Sequence, residues 1–144
     1  MHTPRLTHIA LHVRDIEACI RFYQTYCGMV IIHQRHHEPK RIVWMAEPDR
    51  ETDFIFVLMN GGNDLELAAD DYRHFGFALG SKDAVDQLAA KARKAGDLVW
   101  EPRQEPFPVG YYCGLRDPNG NYVEFSYGQP LGPGADDFDK LTDS

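Results

Sequence analysis

Two histidines and one glutamate lie in three separate segments of similar pattern and suit the binding of a metal cation. His8 and His74 each begin a segment of alternating residues, and Glu124 lies within a third. Two imidazoles and one carboxylate can bind one face of a divalent cation and leave its other positions open to water or substrate. Closed structural zinc sites instead use thiolates. We therefore expect His8, His74 and Glu124 to hold one divalent cation at a catalytic site.

The alternation in these segments predicts strands whose two faces differ. Side chains on a strand point alternately to opposite faces, so every second residue shares a face. One face of each segment carries large apolar residues suited to packing under a helix. The other face carries a candidate ligand: His8 beside Ala10 and His12, His74 beside Gly76 and Ala78, and Glu124 beside Tyr122 and Ser126. If these second faces line the concave side of a curved sheet, they form a cleft with room for a ligand.

The chain repeats one order of elements: a strand, a helix and three strands. In the first half, a strand at 8–13 precedes a helix that Asp15 caps and Gly28 ends, and strands follow at 29–33, 41–45 and 53–59. In the second half, a strand at 74–79 precedes a helix that Ser81 caps and Gly96 ends, and strands follow at 97–101, 111–116 and 122–127.

Equal spacing of landmarks indicates that the two halves are a structural repeat. His74 follows His8 by 66 positions (74 − 8), and Ser81 follows Asp15 by the same number (81 − 15). Neither half can bury both its helix and its sheet alone. We predict an α+β fold in which two βαβββ modules, about 6–60 and 72–128, pair in a single domain of residues 1–128. Together they form a curved mixed sheet around a metal-containing cleft, and residues 129–144 form a C-terminal tail.

Composition excludes several classes of function. The 144 residues are 43% hydrophobic, which is enough for a core, and the formal charge of −7 disfavours binding to nucleic acid. The longest apolar run, 54–59, is too short for a membrane span, and the N-terminus does not resemble a signal peptide. We therefore expect a cytoplasmic protein that does not bind membranes. Three cysteines without a CxxC pair indicate free thiols.

Two further residues are candidates for proton transfer at the predicted cleft. His12 shares the ligand face of the first strand with His8, and Tyr112 lies upstream of Glu124. A neutral imidazole or a phenol can exchange protons with a bound substrate, although a hydrogen-bonded lining role fits each residue equally well. In the fourth strand, Phe54, Phe56 and Leu58 are predicted to face the cleft, so we expect the substrate to have an apolar or aromatic part.

Residues 6–128 resemble the vicinal oxygen chelate superfamily, which includes glyoxalases, bleomycin-resistance proteins and extradiol dioxygenases. The resemblance rests on HIALHVRD at 8–15, FYQTYCGM at 22–29, HFGFAL at 74–79 and RDPNGNYVEF at 116–125, in that order. It implies two βαβββ modules around one divalent metal ion, which is iron, manganese, nickel, cobalt or zinc, bound by His8, His74 and Glu124. It also implies a homodimer that acts on a small-molecule substrate.

Two positions depart from the pattern of glyoxalase I enzymes. These enzymes often have a fourth ligand, a glutamate in the fourth strand, and subtracting 66 from Glu124 gives Leu58 instead. Glu66 is an alternative fourth ligand if the fourth strand is assigned later in the chain. Glyoxalase I enzymes also tend to have arginine four residues after the first ligand, where this chain has His12. The departures argue against strict lactoylglutathione lyase activity.

The resemblance leaves three functions open. The first is a metal-dependent lyase or isomerase of glyoxalase type, acting on a small substrate that chelates the cation through vicinal oxygens. The second is a one-domain Fe(II) extradiol dioxygenase, which is favoured by Tyr112 and by the pair Tyr127 and Gly128. The third is a metal-free drug-binding protein of the bleomycin-resistance type. Fosfomycin-modifying relatives use the same ligands, but the chain has no Ser/Gly-rich loop before its last strand.

Overall fold

The computed structural model describes residues 2 to 135 and divides the chain into two compact units. The first unit ends at Glu66 and the second begins at Leu67. Each unit contains one helix and four strands in the order βαβββ. This arrangement confirms the predicted α+β class and the repeat. The predicted tail at 129–144 is described only to residue 135, so its remainder lies outside the described residues.

The first unit is a four-stranded mixed sheet with one helix. Its elements are β1 (His8–Val13), α1 (Ile16–Cys27), β2 (Val30–His37), β3 (Lys40–Ala46) and β4 (Ile55–Asn60). The sheet order is β1-β4-β3-β2, with β1 parallel to β4 and the other pairs antiparallel. The Asp15 carboxylate accepts a hydrogen bond from the Ala18 amide (3.0 Å), and Gly28 ends α1 in the left-handed conformation. Both caps of α1 are as predicted.

The second unit repeats this topology. Its elements are β5 (Phe75–Ala78), α2 (Lys82–Ala95), β6 (Leu98–Glu105), β7 (Gly110–Arg116) and β8 (Tyr122–Tyr127). The sheet order is β5-β8-β7-β6, and again the first and last strands of the module are parallel. Ser81 caps α2 by accepting from the Ala84 amide (3.0 Å). Val85, Ala89 and Ala92 on α2 are fully buried, as are Val123 and Phe125 on β8.

The strands form two separate sheets rather than the single curved sheet that the sequence indicated. Each sheet has four hydrogen-bonded strands within its own unit. The strand ends also differ from prediction, because β2 continues to His37 and β6 to Glu105. All of β2 is exposed, and its polar residues 33–37 pair with β3 through the backbone. In β6, a register shift between Trp100 and Arg103 accommodates Pro102 inside the strand.

The prediction that Phe56 and Leu58 of the fourth strand face the cleft is wrong. Phe56 and Leu58 are buried on the helix side of the sheet, where the Phe56 ring packs edge-on against Tyr23 with centroids 5.1 Å apart. The strand carries large apolar side chains on both faces, so its pattern could not distinguish one face from the other. Ile55, Val57 and Met59 are the residues that share a face with His8, because β1 and β4 pair in register at these positions.

No helix within residues 2–135 is both long enough and apolar enough to cross a membrane.

Candidate metal centre

A cavity of about 890 Å³ in the second unit contains two of the predicted metal ligands. His74 and Glu124 both line it, together with Tyr112, the predicted proton-transfer residue. Apolar groups of Tyr72 and Trp100 form part of the wall. Within this unit, the structure therefore brings together three of the residues that the sequence singled out.

The His74 ring is oriented by a backbone hydrogen bond. Its Nδ1 lies 2.6 Å from the Tyr72 carbonyl oxygen. A carbonyl can only accept, so Nδ1 carries the proton and donates it, and the lone pair of a neutral ring is then on Nε2. Metal-binding histidines are typically held in this way, by a hydrogen bond from the other ring nitrogen. The Trp100 ring packs perpendicular to the imidazole, with centroids 5.6 Å apart.

Glu124 lies in the middle of β8 and is largely buried, with 9% of its surface exposed. Its neighbours on both adjacent strands are glycines, Gly76 in β5 and Gly114 in β7. A Cβ atom on Gly76 would lie 3.2 Å from Glu124 Oε2, and one on Gly114 would overlap the Trp100 ring. The two glycines thus leave space for the carboxylate and for the indole beside it.

The free donor atoms of His74 and Glu124 are close enough to be joint ligands. His74 Nε2 lies 3.8 Å from Glu124 Oε1. Two ligand atoms on one tetrahedral or octahedral cation, each about 2.0–2.2 Å from it, are about 3 to 3.5 Å apart. A small side-chain adjustment would close the difference, so this nitrogen and oxygen pair suits a divalent cation. Among residues 2–135, no cluster of three or more His, Cys, Asp or Glu side chains could hold a metal ion.

His8 lies in the first unit and lines a second cavity, of about 460 Å³. Its Nδ1 is 3.0 Å from the Thr7 hydroxyl. The other walls of this cavity are apolar: Ala10, Ile42, Trp44, Ile55, Val57 and Met59. His8 is exposed on the predicted face of β1, and its role as a third ligand stays a prediction.

The sequence model of the family described as the Glyoxalase/Bleomycin resistance protein/Dioxygenase superfamily matches residues 5–125. The chain belongs to this superfamily. A relative from Pseudomonas aeruginosa is 66% identical over 134 residues, which cover 93% of this chain and 96% of the relative, and it is described as uncharacterized.

Solved structures of the superfamily fold are similar to this chain. Glyoxalase I of Leishmania major has a TM-score of 0.70 at 18% identity, covering 98% of this chain and 94% of its own. The fosfomycin resistance protein of Listeria monocytogenes also has a TM-score of 0.70, at 17% identity, covering 87% and 94%. A mutant of that Listeria protein was solved with Mn(II) and a dihydroxypropylphosphonic acid. At these identities the likeness shows the shared fold.

The pairing of the strands identifies the residue of the first unit that corresponds to Glu124. Ala10 pairs with Val57 in the first unit, and Gly76 pairs with Glu124 in the second. Val57, rather than Leu58, is therefore the first-unit equivalent of Glu124. The position still carries no acid. Glu66 is exposed and lies outside β4, which ends at Asn60.

His12 is engaged by a backbone carbonyl. Its Nε2 lies 3.1 Å from the Asn60 carbonyl oxygen, so this nitrogen donates and the other ring nitrogen is the available base. Its role in proton transfer stays a prediction, as does that of Tyr112.

Charged groups at the cavity rim are already paired. Arg103 Nη2 contacts Glu105 Oε1 at 2.5 Å, and Arg93 Nη2 contacts Glu101 Oε2 at the same distance. The hydrogen bond from Arg93 holds the pKa of the Glu101 carboxyl below its ordinary value, so Glu101 is an anion at neutral pH. Because Arg103 is paired with Glu105, it brings little unpaired positive charge to the cavity.

Sequence reasoning missed seven of the ten residues that line the cavity, among them Trp100, Arg103 and Gln129. Gln129 was placed in an aperiodic tail, yet its Nε2 lies 3.2 Å from Glu124 Oε2. A residue in a segment without periodicity gives no face by which its direction can be read. The nearest signal was its position five residues after a candidate ligand.

Proposed function

We propose that the protein is a metal-dependent enzyme of glyoxalase type. In this proposal His8, His74 and Glu124 bind one divalent cation, which is iron, manganese, nickel, cobalt or zinc. The substrate is a small molecule that chelates the cation through two adjacent oxygen atoms, and the reaction is a lyase or isomerase step.

One observation carries the proposal. A histidine with its Nδ1 proton engaged by a carbonyl faces the carboxylate of Glu124 across 3.8 Å, inside a cavity. This is the donor chemistry and the tautomer that a divalent cation requires. A purely structural ion pair would instead favour direct contact between the imidazolium and the carboxylate.

Other residues of the cavity have proposed roles in proton transfer and in substrate binding. When bound, the cation would supply Lewis-acid stabilisation of negative charge on the substrate oxygens. Tyr112 lines the same cavity as the two ligands, and its hydroxyl is the proposed donor or acceptor of a substrate proton. Trp100 and Tyr72 provide an apolar wall for the carbon skeleton of the substrate.

Element analysis of protein purified without added metal tests this proposal first. We expect about one equivalent of a transition metal per chain. A preparation that contains no metal and binds none on titration would contradict the proposal. Anaerobic reconstitution with Fe(II), followed by a panel of catechols, separates the extradiol dioxygenase from the lyase or isomerase. Oxygen uptake with ring cleavage would favour the dioxygenase.

A metal-free binding protein is the second candidate, and the cavity of the first unit favours it. Six of the residues that line this cavity are apolar, and Trp44 is 41% exposed beside it. An exposed aromatic wall of this kind suits a planar apolar drug. Fluorescence titration with a planar apolar aromatic dye in the presence of a chelator tests it, since saturable binding without any cation is expected of this candidate alone.

We also propose that the protein is a homodimer. The exposed strand β2 lies at the edge of its sheet, and its Val30, Ile31 and Ile32 are all partly exposed apolar residues. An edge with apolar side chains is commonly covered by a partner.

A further inference from the structure

We infer that Gln129 is a positioning residue that directs one oxygen of Glu124 towards the cation. The inference deepens the proposed function and rests on it. Gln129 follows the last strand and belongs to none of the motifs by which the superfamily was recognised. Its effect is exerted through Glu124 rather than by contact with the cation.

The two oxygens of the Glu124 carboxylate have different surroundings. Oε2 accepts a hydrogen bond from Gln129 Nε2 at 3.2 Å and lies on the Gly76 side. Oε1 faces His74 Nε2 at 3.8 Å. A carboxylate with one oxygen held by an amide offers the other oxygen as a single ligand. Gln129 therefore favours binding through Oε1 alone, on the same side as the imidazole.

The direction of the Gln129 amide is fixed by its two partners. Nε2 also lies 3.0 Å from the Val109 carbonyl oxygen. A backbone carbonyl and an ionised carboxylate accept hydrogen bonds and cannot donate them, so the group that faces both is the NH₂ and not the amide oxygen. Both of its hydrogens are then used. The amide links the loop before β7 to the ligand on β8.

The backbone around Gln129 holds this link in place. Gly110 follows Val109 with a φ of +79°, and a Cβ at this position would lie 2.5 Å from the Tyr127 carbonyl oxygen. Only glycine allows the loop before β7 to come so close to the end of β8. The Val109 carbonyl and the Gln129 side chain thus meet through a close approach of two backbone segments. Partners of a metal ligand typically contribute about 10- to 100-fold to metal affinity.

Titration of the full chain with Co(II) tests the inference, because the visible spectrum of bound Co(II) reports its ligands. We expect Gln129→Ala to weaken Co(II) binding by about 10- to 100-fold and to change the visible absorption of the bound ion. Gln129→Met, which keeps the length of the side chain but removes the donor, should behave in the same way. The matched control is Gln104→Ala, since Gln104 is exposed and its amide also donates to a backbone carbonyl, that of Glu105.

The outcomes separate this inference from the proposed function. Co(II) affinity and spectrum equal to those of the parent in both Gln129 variants would overturn the role of Gln129 and leave the metal site standing. A change of the same size in Gln104→Ala would also overturn it. A parent protein that binds no Co(II) would overturn the proposed function, and the inference with it. If Gln129→Ala fails to fold, Gln129→Met gives the result.

Discussion

His74 Nε2 and Glu124 Oε1 lie 3.8 Å apart in the second unit, although they belong to the two ends of one βαβββ module. The parallel pairing of β5 with β8 brings them together, because Gly76, two residues after His74, is opposite Glu124. A strand that closes its module beside the first strand places residues from both ends of the module on one face. The pairing of β5 with β8 is thus the physical origin of the proximity of His74 and Glu124.

Replacing Gly114 by alanine should destabilise the fold. The added methyl would overlap the Trp100 ring, which has to move or force the sheet apart, at a cost of about 1–3 kcal/mol in the free energy of unfolding. Gly80→Ala is the control, because a methyl at Gly80 meets nothing within 4 Å. Urea unfolding followed by tryptophan fluorescence measures both. Equal midpoints for the two variants would show that the space beside Trp100 is not needed.

Replacing Gly76 by alanine should affect the cation more than the fold. The methyl would lie 3.2 Å from Glu124 Oε2, so the carboxylate has to shift by a few tenths of an ångström. We expect a several-fold loss of Mn(II) affinity and a change below about 1 kcal/mol in the free energy of unfolding. Calorimetric titration and thermal unfolding measure the two effects. Unchanged Mn(II) affinity would mean that the carboxylate does not have to keep this position.

The Cys113 thiol should be unreactive in the folded protein. Burial, with smaller contributions from Asp86 and Glu124, raises the pKa of Cys113 from 9.0 to about 12. Only the thiolate is nucleophilic, and a rise of this size lowers its population at pH 8 by about a thousandfold. Iodoacetamide labelling with mass spectrometry measures the rate. Labelling in urea provides the control, and labelling of the native protein as fast as in urea would contradict the expectation.

Sedimentation at micromolar concentration should give the mass of a dimer. Val30, Ile31 and Ile32 lie on an edge strand with all residues exposed in the single chain, and covering them removes apolar surface from water. Ile31→Arg should raise the dissociation constant of the dimer, because it places a charge on the apolar surface that the partner would cover. If the parent protein sediments as a monomer at this concentration, the result would contradict the proposed homodimer.

The order of elements and the helix boundaries could be predicted because they depend on short-range physics. Asp15 and Ser81 cap their helices through their own side chains, and Gly28 and Gly96 end them in a conformation that glycine adopts easily. The apolar faces of β1 and β8 could be predicted as well, since only one face of each strand is strongly apolar. Local signals were sufficient in these elements.

The face of β4, the offset between the two modules and the position of Gln129 could not be predicted, because they depend on tertiary contacts that the local sequence does not encode. In β4 both faces are apolar, so they are distinguished by tertiary contacts such as that of Phe56 with Tyr23. The spacing of 66 failed there because Val57 and Glu124 are 67 positions apart (124 − 57), one more than the first strands indicated. Gln129 lies in an aperiodic segment, and its contact with Glu124 depends on a loop closure that no sequence period reports.

Calorimetric titration of Glu124→Ala and Glu66→Ala with Mn(II) tests the central claim most directly. Glu124 supplies the only negative charge of the proposed ligand set, so its loss should weaken Mn(II) binding by at least about 100-fold, beyond the effect of changes around a ligand. The fold should survive, because the side chain borders a cavity rather than the apolar core. Glu66 is exposed outside β4, so Glu66→Ala should bind Mn(II) like the parent. Parent-like affinity in Glu124→Ala, or loss of binding in Glu66→Ala, would contradict the ligand assignment.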